Sequence, residues 1–387
     1  MHERPPAVSF GAVRMKFTSP LAVALVVTFG YLLWAGWFVD HHPVSSLAHV
    51  SSFFQGRAGG SSAIARLKPT AADTVGYDGQ FYAYIAADPV GARPYLDNPA
   101  YRYSRPVYPL AARALAGAQQ RLLPWTLLLL GIAGVFAAIF ALASVLTRSN
   151  VSPWYGAIFG AYPGIFLAVS DDLAEPLAYG VLALGLLVWY AKRPRVLGAA
   201  LLFGLAGVTR ETTLLFPVTL ALWLALRERR LRPAAAMLGI ALAPYVLVKV
   251  ALAVWLGSWG EARAAQLESL PFLGLVHQWP WSDYQVQQIL AVVAPAILGP
   301  IVVWWATRKV TPELCLLIVN VVVLVLLLPE PSWAGYLASG RIATGVIVAF
   351  LLCVPALLQS GRVAQAWIPI ALWLLPWYTV LPEAVRR

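Results

Sequence analysis

The chain alternates between long stretches without a charged residue and short polar clusters. Charge-free runs occupy residues 21–39, 122–147, 151–170, 176–191, 196–209, 212–226, 284–307, 314–329, 342–361 and 363–382, and residues 233–257 form another, broken only by Lys249. About 20 consecutive apolar residues cross a bilayer as helix. The pattern therefore predicts an all-α, polytopic membrane protein with about eleven transmembrane helices in one integral membrane domain over residues 1–387. The first run follows Arg14 and Lys16 and ends among Trp34, Trp37 and Phe38 instead of small residues, so it reads as an uncleaved helix and not a signal peptide.

Composition removes the soluble alternative. The 387 residues are 60% hydrophobic and 12% charged, with a mean hydropathy of +0.71, against roughly 25% charged in soluble domains. A net charge of +11 would point a soluble protein toward nucleic acid, but here the basic residues stand in clusters between apolar runs, which is a topology signal. Cys315 and Cys353 both lie inside apolar runs, so no disulfide framework or CxxC metal motif fixes the compartment.

The positive-inside rule places the N-terminus, Arg148, the Lys192-Arg193-Pro194-Arg195 cluster, the basic residues of 227–232, Arg308-Lys309 and Arg362 on the cytoplasmic side. Segment 40–121 becomes a long first extracytoplasmic loop, and 122–382 holds the remaining helices. Only Glu3, Glu228 and Glu313 then fall on the inner side and Glu211 within the membrane, so the acidic chemistry faces outward. Runs 196–209 and 212–226 have basic flanks on the same side, which requires a hairpin. Helices of that length, about 21 to 23 Å, fall short of the roughly 30 Å core. Thr209-Arg210-Glu211 is thus expected at a recessed tip, where broken backbone survives only against protein or a watered cavity. Residues 106–120 have an amphipathic pattern suited to the membrane surface. The loop 258–283, with Trp259, Trp279, Trp281 and His277, reads as interfacial.

Candidate chemistry gathers on the outer side. Gly76-Tyr77-Asp78-Gly79-Gln80-Phe81-Tyr82 wedges an aspartate among aromatics. Desolvation would raise its basicity and aromatic faces would stack on sugar rings, which suits a general base acting on a hydroxyl, although Asp-Gly is also a common turn pair. Tyr101-Arg102-Tyr103-Ser104-Arg105 follows, then Asp171, Asp172 and Glu175 at a helix end, where they would position acceptor hydroxyls or a divalent ion, Asp172 serving equally well as an N-cap. Arg210 at the recessed tip suits a phosphate bidentately or pairs locally with Glu211. Arg105 and Arg341 are second candidates or interface anchors, and Lys249 a snorkelling residue. His41, His42 and His49 show no ligand spacing and read as solvated, so no metal site is assigned.

This succession resembles the GT-C class of membrane glycosyltransferases, and within it the family of the second GPI mannosyltransferase and its bacterial relatives. An aromatic-Asp-Gly-x-aromatic-aromatic-x-x-Ile-Ala pattern is matched from Tyr77 to Ala86, a Tyr-Pro-Leu helix start by Tyr108-Pro109-Leu110, a helix-opening glutamate by Glu175, and an arginine before Leu-Leu by Arg210. The match covers roughly residues 20–226. The chain departs where a Trp often precedes the family's aspartate and where Ser-Asn-Gly usually follows its arginine.

The resemblance implies an inverting hexosyltransferase of cell-surface glycan or glycolipid synthesis, with mannose the suggested sugar. It implies a polyprenyl-phosphate-sugar donor and a lipid, glycan or protein acceptor outside the plasma (inner) membrane. Asp78 would be the base, Arg210, Arg105 and Arg341 the donor-phosphate residues, and Tyr77, Gln80, Tyr82, Glu175, Asp171 and Asp172 the substrate contacts. No Gly-rich phosphate loop between strand and helix suggests a nucleotide-sugar domain. A transporter or flippase of lipid-linked sugars and a noncatalytic subunit of a glycopolymer assembly machine are the alternatives.

Overall fold

A computed structural model describes residues 19–57, 59–70, 75–117, 119–193, 195–260 and 266–386. Glu3, Arg14, Lys16 and Pro194, used above to orient the chain, lie outside these residues, as do Asp73 and Glu261. Among the described residues every regular element is a helix. The first long helix, α1 (Pro20–His41), starts where Ser19 accepts the Ala22 N–H at 3.0 Å and Pro20 occupies the first helical position, a pairing that suits the unsatisfied amides of a helix start.

Between α1 and the next long helix, among the described residues, lie five short α-helices interspersed with 3₁₀ turns: α2 (Ser52–Gln55), α3 (Ser62–Ala65), α4 (Gly79–Ala87), α5 (Pro99–Arg102) and α6 (Val107–Ala116). The expected long loop thus carries several short helices and packs around an apolar cluster that includes its Phe81, Tyr84, Tyr95 and Tyr108 together with Leu127 of the next long helix, Ala168 and Leu252. On α6, Tyr108 and Ala112 are buried while Leu110 and Leu115 are exposed. That arrangement suits a helix lying on an apolar surface.

The bundle continues with α7 (Leu123–Arg148), α8 (Ala157–Ala161), α9 (Pro163–Ser170), α10 (Glu175–Trp189), α11 (Val196–Thr209), α12 (Leu215–Leu226) and α13 (Leu231–Leu256). After α14 (Leu273–Val276) come α15 (Asp283–Gln288), α16 (Ala294–Thr307), α17 (Pro312–Val321), α18 (Tyr336–Ile342), α19 (Thr344–Gln359), α20 (Val363–Leu374) and α21 (Trp377–Arg386). Two π-helical segments, Ile289–Val293 and Val322–Leu326, join α15 to α16 and extend α17. Helices α7 and α10 approach closely because a side chain at Gly134 would meet the Pro176 backbone and one at Gly180 would meet the Gly134 backbone. Small residues permit such contacts between apolar helices. The contact fixes the start of α10, and therefore Glu175.

Among the described residues, five helical stretches are long and apolar enough to cross a membrane: Pro20–His41, Gln120–Arg148, Leu231–Leu256, Asp283–Thr307 and Val363–Leu381. Helices α18 and α19, bent by 42°, make six if taken as one span. This falls short of the eleven expected. Glu175–Trp189, Val196–Thr209, Glu211–Leu226 and Pro312–Leu326 are shorter apolar helices, and run 151–170 breaks between α8 and α9 at Tyr162, before Pro163. An apolar run records burial in either lipid or protein, and α19 shows the second case, with most of its residues packed inside the bundle. The expected break is present: α11 ends at Thr209, Arg210 is extended, and a 3₁₀ turn, Glu211–Leu214, leads into α12. Lys249 on α13 donates to the Trp259 carbonyl, so it reaches the following loop as its position suggested.

Candidate active site

Asp78 immediately precedes α4, but its side chain makes no capping hydrogen bond. Both oxygens are instead taken by guanidiniums: Oδ1 by Arg102 Nη1 at 2.9 Å and Oδ2 by Arg341 Nη2 at 2.5 Å. The turn explanation for Asp78-Gly79 therefore does not account for the aspartate. Gly79 has its own reason, because a side chain there would run into the Asp171 carbonyl. Its absence lets the start of α4 sit against the turn between α9 and α10.

From Asp78 a chain of ionic contacts runs inward. Arg341 Nη1 donates to Glu175 Oε1 at 3.2 Å, and Arg210 Nη2 lies 3.3 Å from the same oxygen. Glu175, Arg210 and Arg341 are all buried. Arg210 is thus partnered by Glu175, and Glu211 by a different residue: Arg105 grips it through Nε at 2.7 Å and Nη2 at 2.5 Å, while Arg105 Nη2 also meets the Tyr101 hydroxyl at 2.6 Å. Arg210 Nε and Nη1, Arg341 Nε and Glu175 Oε2 are buried with no hydrogen-bond partner. Buried donors ordinarily have partners, so these guanidiniums retain capacity for a further anion.

Arg105, Arg210, Glu211 and Thr212 border a cavity of about 310 Å³. Its other walls are mostly apolar, from α12 (Leu215, Val218), the π segment (Val323, Leu324) and Leu328, with Tyr101 and Ser332 also in the lining. The recessed tip does adjoin a cavity, with cations at one end and hydrocarbon along the side.

Several expectations are revised by these surroundings. Burial alone would raise the Asp78 carboxyl, but the Arg102 and Arg341 guanidiniums override it and hold the group well below the usual carboxylate range. Desolvation was expected to make it more basic; the paired cations make it less so. Since its folded pKa is depressed, its contribution to stability is full above the ordinary aspartate value of about 4 and is lost only as pH falls far below it. Gln80 is buried and works inside the protein, its Oε1 accepting from the Ser51 N–H at 3.1 Å and the Tyr84 hydroxyl at 3.3 Å, its Nε2 donating to the Val75 carbonyl at 3.0 Å. Tyr82 is buried edge-on against Tyr108, ring centroids 5.4 Å apart. Tyr77 lies beneath Arg341, 5.2 Å from guanidinium carbon to ring centroid, which keeps it at the site.

The acidic cluster also divides. Asp171 is fully buried and bound by His49, Nε2 to Oδ1 at 2.7 Å, so His49 is not a solvated loop histidine and Asp171 is not open to an acceptor. Asp172 is fully buried with neither oxygen hydrogen-bonded. It does not cap α10, whose N-cap is Ala174. Burial, with the Asp171 carboxylate beside it, pushes the Asp172 carboxyl well above its usual range. Among the described residues no three His, Cys, Asp or Glu side chains converge as ligands for a cation.

Arg102 was the residue that sequence reasoning passed over. Besides Asp78 it holds Asp97 through Nε at 2.8 Å and Nη2 at 2.7 Å and lies over the Phe81 ring. Its one visible signal was its place in an aromatic segment that also supplies Arg105.

No protein-family model matches the sequence, and no curated protein matches it. Among solved structures, the chain is similar to ArnT from Cupriavidus metallidurans in the apo state, with a TM-score of 0.44 and 15% identity over 86% of this chain. The matched region spans 60% of that protein.

Proposed function

We propose that this protein is a GT-C-type glycosyltransferase. It moves a hexose, mannose by the motif resemblance, from a polyprenyl-phosphate donor to a lipid, glycan or protein acceptor on the non-cytoplasmic face of the plasma membrane. The observation that carries the reading is the ionic chain from Asp78 through Arg341 and Glu175 to Arg210, which ends at a cavity walled by apolar helices. A lipid-linked sugar phosphate has the matching polarity: a hydrocarbon tail for the wall and an anion for the guanidiniums, which bind phosphate oxygens in a planar fork.

The reaction is inversion. Asp78 takes the proton of the acceptor hydroxyl, that oxygen bonds to the anomeric carbon from the face opposite the phosphate, and the carbon–oxygen bond to phosphate breaks. The lipid phosphate leaves as an anion stabilised by Arg210 and Arg341 and needs no proton, so one carboxylate suffices where glycoside hydrolysis uses two. A bound phosphodiester competes for the Arg341 guanidinium, loosens its hold on Asp78 and raises the basicity of the carboxylate when an acceptor is to be deprotonated.

Purified protein incubated with polyprenyl-phosphate hexoses and membrane extract, with products followed by mass spectrometry, tests the proposal. Covalent transfer supports it; movement of the donor across vesicles without transfer would establish a flippase instead. Arg210→Gln should lower kcat/KM for the donor by about 10²-fold, the scale for losing one charge-stabilising donor, while leaving the acceptor KM unchanged. Equal losses for donor and acceptor would assign Arg210 a structural part only. Gly79→Ala should cost about 10²-fold with Asp78 still present, because a 1 Å misplacement of a reacting group is enough for that; transfer at the wild-type rate would show that the close contact with Asp171 does not set the aspartate.

A further inference from the structure

A second cavity, of about 860 Å³, opens at the end of α1 and the start of α7, away from the arginine-capped cavity. Its apolar lining comes from Val39, Val44, Leu67, Pro124 and Trp125, and its polar lining includes Arg66, Lys68 and Arg121. Among the described residues no carboxylate lines it, and Asp40, adjacent to Val39 in the chain, is not among its walls. Two of the cations are held by neutral partners that also line the cavity. Gln120 Oε1 accepts from Arg66 Nη1 at 3.3 Å, and Gln119 Oε1 accepts from Arg121 Nε and Nη2 at 3.2 and 3.0 Å. The amides orient the guanidiniums without cancelling their charge.

Both helices at this cavity belong to stretches apolar and long enough to cross a membrane. The groove therefore lies where a span gives way to the polar segment, the level of lipid headgroups. From these features we infer that the groove binds the phosphate headgroup of an anionic membrane lipid, with acyl chains against Val39, Pro124 and Trp125. Charge complementarity selects the anion, and the apolar wall selects a lipid over a free phosphate. Ala87, at the far end of α4 from Asp78, also lines the groove. At 1.5 Å rise per residue the nine-residue α4 sets the two about 13 Å apart, so this is a separate site. Its occupancy does not depend on the chemistry proposed for Asp78.

The test uses the full-length protein in detergent with added phosphatidylglycerol, counting retained lipids by native mass spectrometry. The wild type should hold one phosphatidylglycerol that the triple variant Arg66→Gln, Lys68→Gln, Arg121→Gln binds at least about 10-fold more weakly, as expected when clustered cations near a lipid surface are removed. Arg66→Lys with Arg121→Lys should retain it, because the charge remains, and Asp78→Asn should retain it, because that change is at the other end of α4. Unchanged retention by the triple variant overturns the assignment. So does equal retention of phosphatidylcholine, or displacement by millimolar inorganic phosphate alone, which would make it a free-anion site. Loss in the lysine variant as in the glutamine variant, with both proteins folded, would equally overturn a site built on charge.

Discussion

Asp78→Asn is expected to lower sugar transfer by about 10²- to 10⁴-fold, the range over which a positioned general base acts. Asparagine preserves shape but offers one acceptor oxygen where the carboxylate offers two, so it keeps one of the Arg102 and Arg341 hydrogen bonds; the fold, judged by circular dichroism and gel filtration, should persist with a lowered melting temperature. Donor binding should survive or tighten, since Arg341 then keeps only the Glu175 carboxylate and no longer has that of Asp78 to leave. The informative pair is therefore turnover against donor affinity. If turnover in the variant equals that of the wild type, the base lies elsewhere, and Glu175, with one buried oxygen lacking a partner, becomes the group to replace. If donor affinity collapses along with turnover, Asp78 serves chiefly to hold the arginines in place.

Glu175→Gln should instead be a stability defect. Its carboxylate lies between Arg210 and Arg341, with all three residues buried. Removing one partner of a buried ion pair costs about 3–5 kcal/mol because the remaining charge is left uncompensated. A clear fall in the melting temperature of detergent-solubilised protein is expected. The double variant Glu175→Leu, Arg210→Met should lose less than Glu175→Gln alone, since apolar replacement of a whole buried pair is often close to neutral. Glu175→Gln melting with the wild type would show that the two guanidiniums are solvated well enough not to need it.

Much of the helical layout was legible from apolar runs, because burial in lipid and burial in protein both demand apolar residues. The hairpin was readable for a more specific reason: two short runs with basic flanks can be reconciled only by a return, which put Arg210 at a recessed tip. Run counting could not supply the number of spans, since α10 and α19 owe their apolar character largely to neighbouring helices. Asp78 stood out through its aromatic setting. Its electrostatic state did not, because that state is set by Arg341, 263 positions away, and by Arg102, which carries no local sign of its partner. The same holds for Glu211, whose obvious neighbour in the chain is Arg210 but whose bound cation is Arg105, 106 positions away. His49 was misread for the converse reason: a histidine in a polar segment looks solvated until the tertiary structure brings a buried carboxylate to it.

The bend between α18 and α19 has a mechanical consequence. Arg341 is in the last turn of the seven-residue α18, next to the 42° break, and Tyr162 donates to the carbonyl of its neighbour Gly340 at 2.6 Å. A break between helices is where a hinge motion would be absorbed, and this short helix carries the guanidinium that touches both Asp78 and Glu175. Tilting it would release or engage the two carboxylates together, so a proton-accepting group and a buried counter-ion are geared to one joint. An inhibitor that wedged α18 against Tyr162 would lock both without occupying either substrate's place.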